Sequence, residues 1–183
     1  SDLEELFREV KELVDDNLRK SDKLRRDVEK RVRDNERRSE KVHEDNRRLI
    51  EKIERLVRRG ELREEDVRRA LEEIKDSLRR SLETSKKVLD DIREELKRSL
   101  DHSREVLEEI ERLLEEILRK DKDSDRVRTL VKELRERAKK SLDDNRRMVE
   151  ELRKRLEESL RRNKRVVEES EKIAKEVLDK VRT

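Results

Sequence analysis

Apolar residues recur along this chain at alternating spacings of three and four, through three segments of similar length. In the first segment one seam passes through positions 3, 7, 10, 14, 17, 21, 24, 28, 32, 35, 39, 42, 46, 49 and 53. That spacing keeps side chains on one face of an α-helix, so the pattern predicts helices throughout. Ser1 with Glu4 can form a capping box, and Asp2, Glu4 and Glu5 suit the positive end of a helix dipole, which starts helix one at about residue 2. Gly60 marks its end near 59, because glycine takes the left-handed conformation that follows a helix C-terminus. Glu64-Glu65-Asp66 opens helix two, about 63–119, and "KDKDSD" offers Asp123 or Ser124 as the cap of helix three, about 124–182. Each helix has about 55 residues and a length of about 80 to 85 Å. Equal helices on short connections must fold back to cover their apolar seams. The expected fold is all-α: residues 1–183 as a single elongated up-down-up antiparallel three-helix bundle or coiled coil.

The seam is interrupted by polar residues, and the register explains them. Each helix has one place where two steps of four follow each other: Leu24-Val28-Val32, Val88-Ile92-Leu96 and Met148-Leu152-Leu156. Such a stutter locally relaxes the supercoil of a heptad pattern. Aligning the three stutters puts position i of helix one level with 120 − i in helix two and i + 124 in helix three. The rule then gives wholly apolar layers: Leu3/Ile117/Val127, Phe7/Leu113/Val131, Val10/Ile110/Leu134 and Val14/Val106/Ala138, then Leu24/Leu96/Met148, Val28/Ile92/Leu152 and Val32/Val88/Leu156. Val42/Leu78/Val166, Leu49/Leu71/Ile173 and Ile53/Val67/Val177 complete the set. The same rule gathers the polar seam residues into four levels of one Asn and two Ser: Asn17/Ser103/Ser141, Ser21/Ser99/Asn145, Asn35/Ser85/Ser159 and Ser39/Ser81/Asn163. A fifth level, Asn46 with Ser170 and Ile74, is mixed, with Ser77 or His43 in reach from the flank.

An unpartnered buried hydroxyl or amide costs on the order of 1 to 3 kcal/mol, so matched polar levels penalise every other register. The inventory points the same way: all five Asn lie on the seam, as do nine of the twelve Ser, all but Ser1, Ser77 and Ser124. The remaining surface is almost entirely Asp, Glu, Lys and Arg. This division of labour, without Gln, Pro, Cys, Trp or Tyr, resembles computationally designed helical bundles with buried hydrogen-bond networks. The resemblance covers the whole chain and implies a structural scaffold with no natural substrate, whose Asn/Ser levels specify register and topology. Natural spectrin-type repeats share the topology, but their buried tryptophan has no counterpart here.

Composition narrows the function classes. Charged residues make up 58% of the 183, yet Leu, Ile, Val and Phe still supply 49 positions and the net charge is only +3, so a thin core is expected rather than a disordered polyelectrolyte. The 55 basic residues are interleaved with 52 acidic ones, and Phe7 is the single aromatic, so neither a basic stripe nor a stacking platform for nucleic acid is present. No apolar run approaches the roughly 18 residues of a membrane span, and "SDLEELF" has neither the basic nor the apolar region of a signal peptide. The expectation is a soluble protein that needs no membrane, nucleic acid or cofactor, and is not an enzyme. No cysteine, no second histidine at ligand spacing and a single glycine leave nothing for a metal, a catalytic triad or a phosphate loop.

His43 and His102 sit beside the seam with acidic neighbours (Glu40, Glu44 and Asp45; Asp101 and Glu105), so both are expected on the exposed flank, with no opening of the bundle between about pH 7 and 5. The alternative to a monomeric scaffold is a designed interaction module. It would take a fourth helix or a second copy on Leu82, Leu89, Leu100, Leu107 and Leu114 of helix two with Leu142, Val149, Leu160 and Val167 of helix three. A pH-responsive bundle is a further alternative, in which a histidine contacts a polar level.

Overall fold

A computed structural model describes residues 2–182. Three helices, α1 (Leu3–Arg58), α2 (Glu64–Lys120) and α3 (Asp125–Arg182), form an all-α three-helix bundle, and no strand occurs among the described residues. The helix ends follow from local chemistry. At α1 the Asp2 carboxylate accepts the Glu5 amide at 3.0 Å and takes the capping role; the Ser1/Glu4 capping box lies outside the described residues. At α3 the cap is Ser124, whose hydroxyl accepts the Val127 amide at 3.2 Å. At the end of α1 the amides of Gly60 and Glu61 donate to the carbonyls of Val57 and Leu56, both at 3.0 Å, and Gly60 has φ 70°. This is the glycine-closed turn that uses up the last carbonyls of a helix. A Cβ at Gly60 would meet nothing within 4 Å, so Gly60→Ala is expected to cost only the left-handed strain, about 1 kcal/mol, read as a shift in the denaturation midpoint at unchanged slope.

The residues cluster into two compact units, each fed by all three helices: one from the chain up to Glu29 with Ile92–Lys154, the other from Lys30–Asp91 with the chain from Arg155 onward. In the first unit Leu6, Val10 and Val14 pack with Ile110, Leu113, Leu114 and Ile117 and with Val127, Val131, Leu134 and Ala138. As α1 ascends, the α2 partners descend and the α3 partners ascend, so α2 is antiparallel to the other two. In the second unit Ile50 and Ile53 pack with Val67, Leu71, Ile74 and Leu78 and with Val167, Ala174 and Val177.

The expected layers are kept in part. Val10/Ile110/Leu134, Val28/Ile92/Leu152 and Ile53/Val67/Val177 are buried throughout, whereas Leu3, Phe7, Leu24, Val42, Val88, Val106 and Val166 are only half-buried. The layer Leu49/Leu71/Ile173 is corrected outright: Leu49 is 48% and Ile173 43% exposed, while their neighbours Ile50 and Ala174 are buried. The reason is periodicity. The interior stripe of α1 passes through 6, 10, 14, 17, 21, 24, 28, 32, 35, 39, 43, 46, 50 and 53, which is 47 residues in 13 steps, or 3.6 per step. That is the repeat of a straight α-helix, whereas a 3.5-residue heptad seam drifts against it by about 20° per heptad. The stripe has three pairs of successive four-residue steps, and the last of them, Asn35-Ser39-His43, absorbs the drift and hands the interior from Val42 and Leu49 to His43 and Ile50.

Candidate functional site

Thirteen buried polar residues lie on the three seams, and none of the five Asn is more than 8% exposed. In the first unit Asn17 is a hub between the other two helices. Its amide nitrogen donates to Ser141 Oγ at 3.1 Å, and Ser103 Oγ donates to its carbonyl oxygen at 3.1 Å. One asparagine thus spends both ends of its amide on two hydroxyls. One turn along, Asn145 of α3 donates to Ser21 Oγ at 2.6 Å and to Ser99 Oγ at 3.4 Å, while its Oδ1 is buried without a partner among the described residues. Ser21 and Ser99 are half-buried, and a groove of about 310 Å³ reaches Ser21, Ser141 and Asn145 from the α1/α3 side.

The second unit places its polar residues together but bonds them differently. Asn35 is buried, yet its carbonyl accepts from Arg38 of its own helix at 2.6 Å. Ser85, expected opposite Asn35, bonds Ser39 at 2.9 Å, one turn away from the Ser81 that the level rule pairs with Ser39. Ser81 Oγ is buried without a partner among the described residues, and Ser159 and Ser170 are buried on α3. Asn46 donates to Ser77 Oγ at 3.3 Å, so Ser77 does reach the fifth level from the flank.

His43 is corrected: it is 6% exposed, not on the surface, and its Nε2 donates to Asn163 Oδ1 at 2.7 Å. The residue entered the core because the 3.6-residue stripe passes from Ser39 to position 43, which outweighs the preference of its acidic neighbours for an exposed flank. The readable signal was the spacing 35, 39, 43. His43 Nδ1 and Asn163 Nδ2 are buried without partners among the described residues. His102 is exposed, as its neighbours imply. Neither histidine hydrogen-bonds a serine hydroxyl among the described residues.

Around these levels the surface is laced with ion pairs. Within the first unit Arg135 meets Glu111 at 3.1 Å, and within the second Arg79 meets Glu171 at 3.3 Å and Arg162 meets Glu36 at 3.5 Å. Pairs of this kind contribute about 0 to 1 kcal/mol each, so they orient helices more than they stabilise them. Glu54 is the best placed: the Lys180 ammonium at 3.1 Å, and then Arg58 at 2.8 Å, hold its carboxyl below the usual carboxylate range. A depressed folded-state value contributes stability above the unfolded glutamate value of about 4.3, and the contribution disappears as pH falls through the folded value. Glu54→Gln is therefore expected to be less stable than the parent at pH 7, with the gap closing as denaturation midpoints are measured below about pH 4.

Of the nine flank residues that an added helix would use, Leu89, Leu114, Leu142, Val149 and Val167 are buried, and Leu82, Leu100, Leu107 and Leu160 are half-buried. Among the described residues no cluster of three His, Cys, Asp or Glu is placed to hold a metal ion, and no helix is long and apolar enough to cross a membrane.

No family model and no curated protein matches this chain. Among solved structures, one described as a computationally designed three helix bundle is similar over 98% of this chain and 86% of its own length, at 19% sequence identity and a TM-score of 0.41.

Proposed function

We propose that this chain is a designed structural scaffold, a monomer with no natural reaction, whose buried Asn and Ser residues fix the register of its three helices. The observation that carries the reading is Asn17, which satisfies Ser103 and Ser141 at once. An asparagine surrounded by apolar residues at another register would leave its donor and acceptor stranded, and polar seam residues are the best-attested way of excluding such registers and wrong oligomers. The confinement of all five Asn to the interior, against a surface of Lys, Arg, Glu and Asp, supports the same purpose. Five of the nine flank residues, Leu89, Leu114, Leu142, Val149 and Val167, are already buried, which weighs against a fourth helix as a required partner.

The test replaces every buried Asn and Ser by an apolar residue of similar size and asks what specificity is left. The parent should run as a single species of 22.5 kDa by light scattering, with one narrow distribution of spin-label distances between α1 and α2. The apolar variant should be harder to denature but give several species or several distances. One species and one distance in the apolar variant would mean that apolar shape alone sets the register.

A further inference from the structure

In the second unit α1 and α3 each carry two interior stripes hung on the same anchors. Ser39, Asn46 and Ile53 of α1, and Asn163, Ser170 and Val177 of α3, belong both to the heptad seam and to the buried stripe. Only the residues between the anchors differ. The heptad seam takes Val42 and Leu49 with Val166 and Ile173, whereas the buried stripe takes His43 and Ile50 with Val167 and Ala174. Facing them, α2 buries 67, 71, 74, 78, 81 and 85, an unbroken alternation of fours and threes. The departure from the heptad path therefore belongs to the two parallel helices. Adjacent residues point 100° apart around a helix, so exchanging one set for the other about shared anchors takes a turn of about 50° and no sliding.

The two seatings are closely matched. Leu49 stands for Ile50, Val166 for Val167, Val42 for His43 and Ile173 for Ala174, so the heptad seating has no shortage of apolar side chains. The observed seating leaves Leu49 48% and Ile173 43% exposed. It gains the His43–Asn163 hydrogen bond at 2.7 Å and the Ser39–Ser85 bond at 2.9 Å. It also strands polar atoms: His43 Nδ1, Asn163 Nδ2 and Ser81 Oγ are buried without partners among the described residues. The heptad seating answers these, because it groups Asn163 with Ser39 and Ser81, groups Ser85 with Asn35 and Ser159, and carries His43 outward beside Glu40 and Glu44.

We infer that the second unit is a two-state element, in which α1 and α3 turn together between these seatings and the His43–Asn163 hydrogen bond latches the observed one. Two packings of one sequence that differ little in buried apolar content and oppose each other in their polar bonds are the make-up of a conformational switch. The axial register set by the Asn and Ser anchors is untouched by the turn. What changes is the outer face, which exchanges Leu49 and Ile173 for His43 and Ile50. A partner that touches one of these faces shifts the balance by its preference for it.

Methyl relaxation dispersion on the whole chain tests the switch. Expected is microsecond-to-millisecond exchange at Leu49, Ile50, Val166, Val167 and Ile173, with a minor state of about 1 to 10%. Val28 and Leu152, whose sequence neighbours are charged, should show none. Leu49→Lys with Ile173→Lys charges two exposed positions that the heptad seating buries, so it should keep the fold and abolish the exchange at Val166 and Val167. Ile50→Gln pushes the other way, and in that background Leu49→Ala should lower the denaturation midpoint about three times as far as it does in the parent. A second unit as quiet as Val28, exchange that survives in the lysine variant, or equal midpoint shifts for Leu49→Ala in the two backgrounds would each overturn the assignment.

Discussion

Asn17→Leu is expected to be about 2 kcal/mol less stable than the triple variant Asn17→Leu, Ser103→Ala, Ser141→Ala, although both carry the same leucine. The single replacement removes the amide donor to Ser141 and the acceptor of Ser103, each at 3.1 Å, and leaves two buried hydroxyls behind. A stranded polar group costs about 1 to 3 kcal/mol, but a helical serine can turn to the carbonyl four residues back, which places the expected sum at the lower end. Removing all three groups leaves nothing to strand. The same comparison at Asn35 should differ by less than about 1 kcal/mol, because Arg38 supplies its partner from the same helix and Ser85 already has Ser39. Equilibrium denaturation of the four variants decides the matter. If Asn35→Leu proves as costly relative to its own triple variant as Asn17→Leu, the hydrogen bonds are not what distinguishes the two levels.

Ile50→Ala and Leu49→Ala give the largest contrast between adjacent residues. Ile50 is 2% exposed in the core of the second unit, and truncating a side chain so buried costs about 2 to 5 kcal/mol through lost transfer energy and the cavity that remains. Leu49 is 48% exposed, and its truncation should stay within about 0.5 kcal/mol. A strict continuation of the heptad pattern demands the opposite order, since it buries position 49 and turns 50 outward. Denaturation midpoints for the two single variants therefore read out the rotation of α1 directly. A costly Leu49→Ala beside a mild Ile50→Ala would return the seam to its heptad path and would expel His43 from the core.

What the sequence determines by itself are the features set by local chemistry and by period. Three helices follow from spacings of three and four, and their ends from Gly60 and Ser124, because a left-handed turn and a cap act within a few residues of chain. The up-down-up order follows from helix length and short connections. The level rule brings Asn17 to Ser103 and Ser141, and Asn145 to Ser21 and Ser99, because the stutter nearest those residues fixes their height.

Only the tertiary structure decided which of two neighbouring residues faces inward far from that stutter. A pattern of threes and fours is equally readable as 3.5 or 3.6 residues per turn over a few turns, and Leu49-Ile50 and Val166-Val167 are apolar at both positions, so hydrophobicity does not choose. Packing of real helices at 3.6 chose Ile50, Val167 and, with them, His43. The hydrogen bonds of the second unit were likewise beyond the sequence. Residue type says that Asn35, Ser39, Ser85 and Asn163 need partners, but a rotation of one residue, about 100°, decides whether Ser39 meets Ser81 or Ser85 and whether Asn163 meets a serine or an imidazole.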